Sequence, residues 1–209
     1  MSGFSQDFQN DLLDLMRWRR DVRRFRRDPV DEALLQECLA TFQLAPSVGL
    51  SEPWRVIRLA SDTARAAALA NFRAANQRAL DGYSGEKASL YSGLKLSGMQ
   101  EAPVQLAVFC DDSTAKGAGL GAGTMPETRR YSVVGAITHF WLAARARGLG
   151  VGWVSILDPA QLGRDLAVPE EWSLVAYLCV GWPATDNDTP ELELVGWEAR
   201  QSDLIIETR

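Results

Sequence analysis

The residues best suited to chemistry stand between positions 17 and 27, where seven arginines surround one acid in the run Arg19-Arg20-Asp21-Val22-Arg23. Guanidinium groups keep their charge at any working pH, and their planar fork of donors grips phosphate. A carboxylate repels that phosphate, so anion binding does not account for Asp21. One reading is a phosphate-bearing ligand held by arginines while the acid reaches its other end. The other is a solvated basic run with one ion-paired acid. On a helix, Arg19, Arg20 and Arg23 would share a face at spacings of three and four and could clamp a phosphate together.

Three more segments could meet a flat ligand. Ala45-Pro46-Ser47-Val48-Gly49 is either an ordinary turn or a ligand edge built from exposed amides and the Ser47 hydroxyl. Gly148-Leu149-Gly150-Val151-Gly152-Trp153-Val154-Ser155 has glycines that let something flat approach the backbone, with Ser155 offering a hydroxyl. It is not a nicotinamide dinucleotide fingerprint, because that run follows a strand and opens a helix, and this one does the reverse. Gly196-Trp197-Glu198-Ala199-Arg200 adds one arginine, either a surface residue or a second phosphate contact.

Other chemistries are excluded by composition. His139 is the single histidine and reads as a core or interface residue, while Cys38, Cys110 and Cys179 are odd in number, far apart and set among apolar residues. Buried free thiols in a reducing cytosol fit them. No metal site and no histidine-based triad is expected, so the chemistry must come from a cofactor. A net charge of -5 makes the basic cluster a local feature of an acidic chain and argues against nucleic acid as a partner. Residues 1–10 lack an apolar signal core, and no run of about 18 apolar residues predicts a membrane span; a cytoplasmic protein is expected.

The elements that must position these groups follow from periodicity. With 209 residues, 46% hydrophobic and 23% charged, the chain fits one domain over residues 1–209. Phe8, Leu12, Leu15 and Met16 predict an amphipathic helix before the arginines. Asp31 caps a second helix, Ser61 an alanine-rich third, and Asp158 with Pro159 a later one. Strands are predicted over residues 54–59, 104–110, 151–156 and 172–180, with residues 204–206 as a further edge strand. Residues 87–100 are ambiguous, and residues 111–123 read as a flexible surface loop. The helix over residues 130–147 is apolar nearly all round, which in a chain this small predicts a dimer interface. The fold class is α+β.

Taken together, Arg19-Arg20-Asp21-Val22-Arg23-Arg24-Phe25, Ala45-Pro46-Ser47-Val48-Gly49, Leu94-Lys95-Leu96, Thr124-Met125-Pro126-Glu127-Thr128, Trp141-Leu142-Ala143-Ala144-Arg145 and Val151-Gly152-Trp153-Val154-Ser155 resemble the FMN-dependent nitroreductase family. Within it the chain is similar to the 5,6-dimethylbenzimidazole synthase branch, since ordinary nitroreductases usually carry serine where Asp21 stands. The resemblance implies a central mixed, mostly antiparallel sheet surrounded by helices, and a homodimer with a long buried interface helix and FMN at the interface. It implies that Arg19, Arg20, Asp21, Val22 and Arg23 meet the flavin and its phosphate, with Pro46, Ser47, Gly49 and Gly152 near the ring. Lys95 and Leu96 fall in a lid, and Arg200 adds a contact from the tail. In this branch reduced FMN is the substrate: with molecular oxygen it is fragmented to 5,6-dimethylbenzimidazole, the lower ligand of cobalamin, and erythrose 4-phosphate. Asp21 would act as the base and Ser155 would steer a peroxide intermediate, with a separate flavin reductase supplying reduced FMN. The alternatives are a conventional NAD(P)H nitroreductase or flavin reductase, and a non-enzymatic flavin-binding protein.

Overall fold

In the computed structural model, which describes residues 3–209, four of the helices (α1, α2, α3 and α6) start where a side chain replaces a missing backbone partner. The Ser5 hydroxyl accepts from the Phe8 amide at the start of α1 (Gln6–Trp18), and Asp31 accepts from Leu34 at the start of α2 (Glu32–Ala40). Strand β1 (Trp54–Arg58) follows, then α3 (Asp62–Asp81), capped by Ser61, and the short α4 (Gly85–Gly93). Beyond β2 (Val104–Asp111) runs α5 (Thr128–Ala146), then β3 (Gly150–Val154) and α6 (Pro159–Asp165), capped by Asp158 with Pro159 in its first turn. Strand β4 (Trp172–Gly181) and the single turn α7 (Glu191–Leu194) complete the order. The start of the polar stretch at residues 1–10 lies outside the described residues.

The four strands form one sheet in the order β1-β2-β4-β3, every neighbouring pair antiparallel. The central strand β2 is apolar without alternation because both its faces are covered. Val104, Leu106, Val108 and Cys110 pack towards α2 and α5, while Ala107 and Phe109 meet Ala68 and Phe72 of α3 and Leu162 of α6. Phe109, Tyr177 and Phe140 are each fully buried, worth roughly 1.5–3 kcal/mol apiece on transfer from water. Among the described residues the one parallel pairing is an isolated bridge between Asp21 and Val151, outside the four-stranded antiparallel sheet.

Three expectations change. The arginine run is not helical: α1 stops at Trp18, Arg19 is extended, and the Val22 amide donates to the Val151 carbonyl at 3.0 Å. The bare edge of β3 claims this segment, since an edge strand leaves backbone groups that need partners. Residues 204–206 form no strand, and Leu204, Ile205 and Ile206 stay exposed. Residues 111–123 lie mostly at the surface, as the sequence predicts, and one close approach ties them to the 46–49 loop, since a Cβ on Gly117 would come within 2.4 Å of the Gly49 carbonyl oxygen. Lastly, α5 buries Val133, Ala136, Ile137, Phe140 and Ala144 in this chain's own core and leaves a narrower stripe through Tyr131, Val134 and Thr138 exposed.

No helix among the described residues is long and apolar enough to cross a membrane. The three cysteines are buried free thiols, and burial pushes Cys179 up to about 12, which leaves it inert as a nucleophile.

Candidate active site

Because residues 20–24 are extended, their side chains reach alternately to two sides. Arg20 Nε donates to the Asp188 carbonyl at 2.7 Å, and Arg24 pairs with Glu191 at 3.3 Å, both in the tail. Asp21 and Arg23 reach the other way. Oδ1 of Asp21 accepts from the Trp153 amide at 2.7 Å, and Oδ2 accepts from Arg23 Nε at 2.9 Å. The far end of the Arg23 guanidinium meets the Lys95 carbonyl at 3.4 Å. Arg19 lies over the Trp141 ring, 4.7 Å from its centroid, a cation–π contact that fixes it without a carboxylate.

At Asp21 two influences compete, since neighbouring arginines favour the ionised form and burial opposes it. Burial raises its pKa above the ordinary carboxylate value, and the Trp153 amide and Arg23 offset this only in part. Arg20 moves the opposite way, pushed below its usual value by burial and then by its neighbours Arg200 and Arg19. Such mutual repulsion among Arg19, Arg20 and Arg200 describes a place that an anion would stabilise. Arg200 is steadied by Glu193 at 2.6 Å. Its tail turn is tied to α4 by Tyr83, Tyr91 and Trp197, with Lys87 over the Trp197 ring at 4.5 Å.

The glycines of β3 have a use that the sequence did not reveal. A Cβ on Gly152 would stand 2.0 Å from the Val22 carbonyl oxygen, and one on Gly150 2.8 Å from the Val22 side chain. What approaches this backbone is the chain's own arginine strand. These glycines bring Asp21 within reach of Trp153, and Val22 is the packing residue between them. Gly49 is likewise occupied, at a φ of 57° and with Leu120 and Gly117 against it. Ser47 accepts from the Glu52 amide at 3.1 Å, while Pro46 is exposed. Ser155 is exposed just beyond β3, and Leu96 packs against the core at the end of the segment that carries Lys95.

Two groups of predicted residues stay apart within one chain. Arg19, Asp21, Arg23, Lys95 and Trp153 form one cluster. The Pro46-Ser47-Gly49 loop is anchored elsewhere, with the Val48 amide donating to Ser132 at 3.0 Å. Ser132 and Trp141 are nine residues apart on α5, about 13 Å along its axis. The cavity beside the arginines, lined by Trp18, Arg20, Asp21, Arg23, Trp141 and Arg145 among others, encloses about 120 Å³. Typical ligand pockets hold roughly 300–1,000 Å³, so this cavity alone is smaller than one that encloses a cofactor. Trp141 and Trp153 stand inside quoted motifs but carried no assigned role, while Glu193 and Glu101 lie outside every motif.

The nitroreductase family model matches residues 16–182. The chain belongs to the nitroreductase family. A 5,6-dimethylbenzimidazole synthase of Rhodospirillum rubrum is 52% identical over 97% of this chain and 96% of its own length. One of Rhodobacter capsulatus is 49% identical over 94% and 95%. Among solved structures, an iodotyrosine deiodinase bound to FMN and 3-iodo-L-tyrosine superposes with a TM-score of 0.73 at 22% identity, covering 95% of this chain and 98% of that one. Family membership makes FMN the group to test against the site. The convergent Arg19, Arg20 and Arg200 suit its phosphate, and the Trp-backed cluster around Asp21 suits the rest.

Proposed function

We propose that the protein is a 5,6-dimethylbenzimidazole synthase. It would use molecular oxygen to fragment reduced FMN to 5,6-dimethylbenzimidazole and erythrose 4-phosphate, supplying the lower ligand of cobalamin. The observation that carries this reading is Asp21: an acid held among arginines by two hydrogen bonds, with burial raising its pKa. Nitroreductase chemistry on an intact flavin has no evident use for a base at that point. Fragmenting the flavin does, because protons must leave carbon and oxygen atoms near the ring and the ribityl chain. The named relatives at 49–52% identity support the same reading.

Arg19 and Arg20 hold the phosphate, with Arg200 as a third contact. Arg23 has a different task, since its guanidinium is committed to Asp21 and to the Lys95 carbonyl. Asp21 accepts the proton. Ser155, at the exposed end of β3, hydrogen-bonds the flavin and steers its reaction with oxygen. Leu96 and the Lys95 segment exclude water over the site.

The working unit is a homodimer of single-domain subunits. Three features support it: the exposed stripe of α5, the apolar face of α1 left open at Phe8, Leu12 and Met16, and the gap along α5 between the two predicted half-sites. A second copy would bring its Pro46-Ser47-Gly49 loop to the first copy's arginines and complete the walls. Reduced FMN comes from a separate flavin reductase in the cytoplasm.

The test is Asp21→Asn, which keeps the shape and removes the base. The variant is expected to bind FMN and to form 5,6-dimethylbenzimidazole about 10²–10⁴-fold more slowly. Product at the normal rate would contradict the assignment. NADH turnover with intact bound flavin in the unmodified protein would instead favour a conventional nitroreductase.

A further inference from the structure

Glu101 belongs to none of the motifs above, and it ends the turn that leads into β2. That turn is a rigid support. The amides of Glu101 and Ala102 both donate to the Gly98 carbonyl, at 3.1 and 2.9 Å. Gly98 is pressed against Phe25, where a Cβ would come within 2.3 Å of the ring, and buried Gln105 holds the Met99 carbonyl at 2.7 Å. On this support the carboxylate has one partner, Lys95, whose Nζ donates to Oε1 at 2.7 Å. The second oxygen, Oε2, is buried with no donor among the described residues. A buried carboxylate oxygen without a donor destabilises a fold, so stability alone does not account for an acid here. Lys95 lies in a segment without helix or strand between α4 and this turn, and its carbonyl takes the far end of Arg23. The contacts therefore run from Glu101 through Lys95 and Arg23 to Asp21.

We propose that Glu101 is a positioning residue of the flavin site, a fixed post that holds Lys95 and so closes residues 94–96 against the Arg23–Asp21 pair. Its consequence for product rests on the function proposed above, while its effect on ligand retention does not. With Lys95 released, the segment opens and FMN leaves faster. Reduced FMN at the opened site is then oxidised by oxygen to FMN and hydrogen peroxide in place of fragmentation.

A double-mutant cycle tests this, using purified Glu101→Gln, Lys95→Met and the double variant. The readouts are the melting temperature, the FMN dissociation rate by stopped-flow fluorescence, and the ratio of 5,6-dimethylbenzimidazole to hydrogen peroxide under aerobic reduction. Glu101→Gln is expected to melt no lower than the unmodified protein, because it carries no unpaired buried charge. Its FMN dissociation should rise about fivefold, as loss of one partly exposed ion pair would give. Lys95→Met should match it, and the double variant should be no faster than either. The product ratio should fall in all three. Unchanged dissociation in Glu101→Gln, or effects that multiply in the double variant, would overturn the proposal. So would a lowered melting temperature with normal dissociation, which is the mark of a purely structural residue. If the unmodified protein binds FMN but makes no 5,6-dimethylbenzimidazole, the functional reading fails, and the dissociation cycle still decides the role of Glu101.

Discussion

At the scale of single residues, the three arginines that look alike in the sequence divide their work. Arg23 is tied to a carboxylate, whereas Arg19 rests on Trp141 and Arg20 on a backbone carbonyl. Arg20→Met should therefore weaken FMN much more than riboflavin, which lacks the phosphate, in a fluorescence titration. Arg23→Met should spare phosphate affinity and raise the Asp21 pKa further, since it removes a donor to the charged form. The raised pKa also sets the sign of the pH dependence. A base works only when ionised, so product formation should fall with pH along an acid limb lying above the ordinary aspartate value of 3.8. Stability follows the opposite course. The protonated acid is the form that the fold prefers, so the contribution of Asp21 is fully present below its unfolded pKa. It is lost as pH rises through the folded one. Melting temperatures of Asp21→Asn relative to the unmodified protein should therefore become more favourable as pH rises from about 4 towards neutrality. A constant difference would contradict the raised pKa.

At the scale of elements, the site depends on one crossing, where residues 21–22 lie along β3 and only glycine fits beneath them. Gly152→Ala should destabilise by about 3 kcal/mol, because its Cβ meets a backbone oxygen rather than a side chain that can turn aside. It should also remove the Asp21–Trp153 hydrogen bond, and calorimetry with an activity assay would check both effects. This crossing was not legible in the sequence. The caps at Asp31, Ser61 and Asp158 were, because a capping side chain and its amide are neighbours in the chain. Likewise the apolar run over residues 104–110 marked β2 as a strand. The Asp21–Val151 bridge joins residues 130 positions apart, and local spacing carried no trace of it, so the arginine run read as helical. The Gly152 Cβ position is filled by Val22, which again only the tertiary structure reveals. Lys95 and its segment were visible as a motif, but Glu101 was not, since a lone acid before an Ala-Pro pair has no periodicity to mark it.

At the scale of the whole molecule, the proposed homodimer rests on apolar surface that one chain leaves exposed. The apolar face of α1, the Tyr131–Val134–Thr138 stripe of α5 and the exposed Leu204-Ile205-Ile206 tail are faces that a second copy would cover. Val134→Asp puts a charge on the stripe without entering the core. It should shift the protein to a monomer in sedimentation and abolish FMN retention while the far-ultraviolet circular dichroism stays the same. A monomer that still binds FMN tightly would mean that one chain holds the complete site. The measurement that bears most directly on the central claim is aerobic incubation of the purified protein with FMN, NADH and a separate flavin reductase, with chromatography following both flavin and product. The account predicts that FMN disappears as 5,6-dimethylbenzimidazole appears, only when the protein is present. Intact FMN and no 5,6-dimethylbenzimidazole, in protein shown to be folded and to bind FMN, would contradict it.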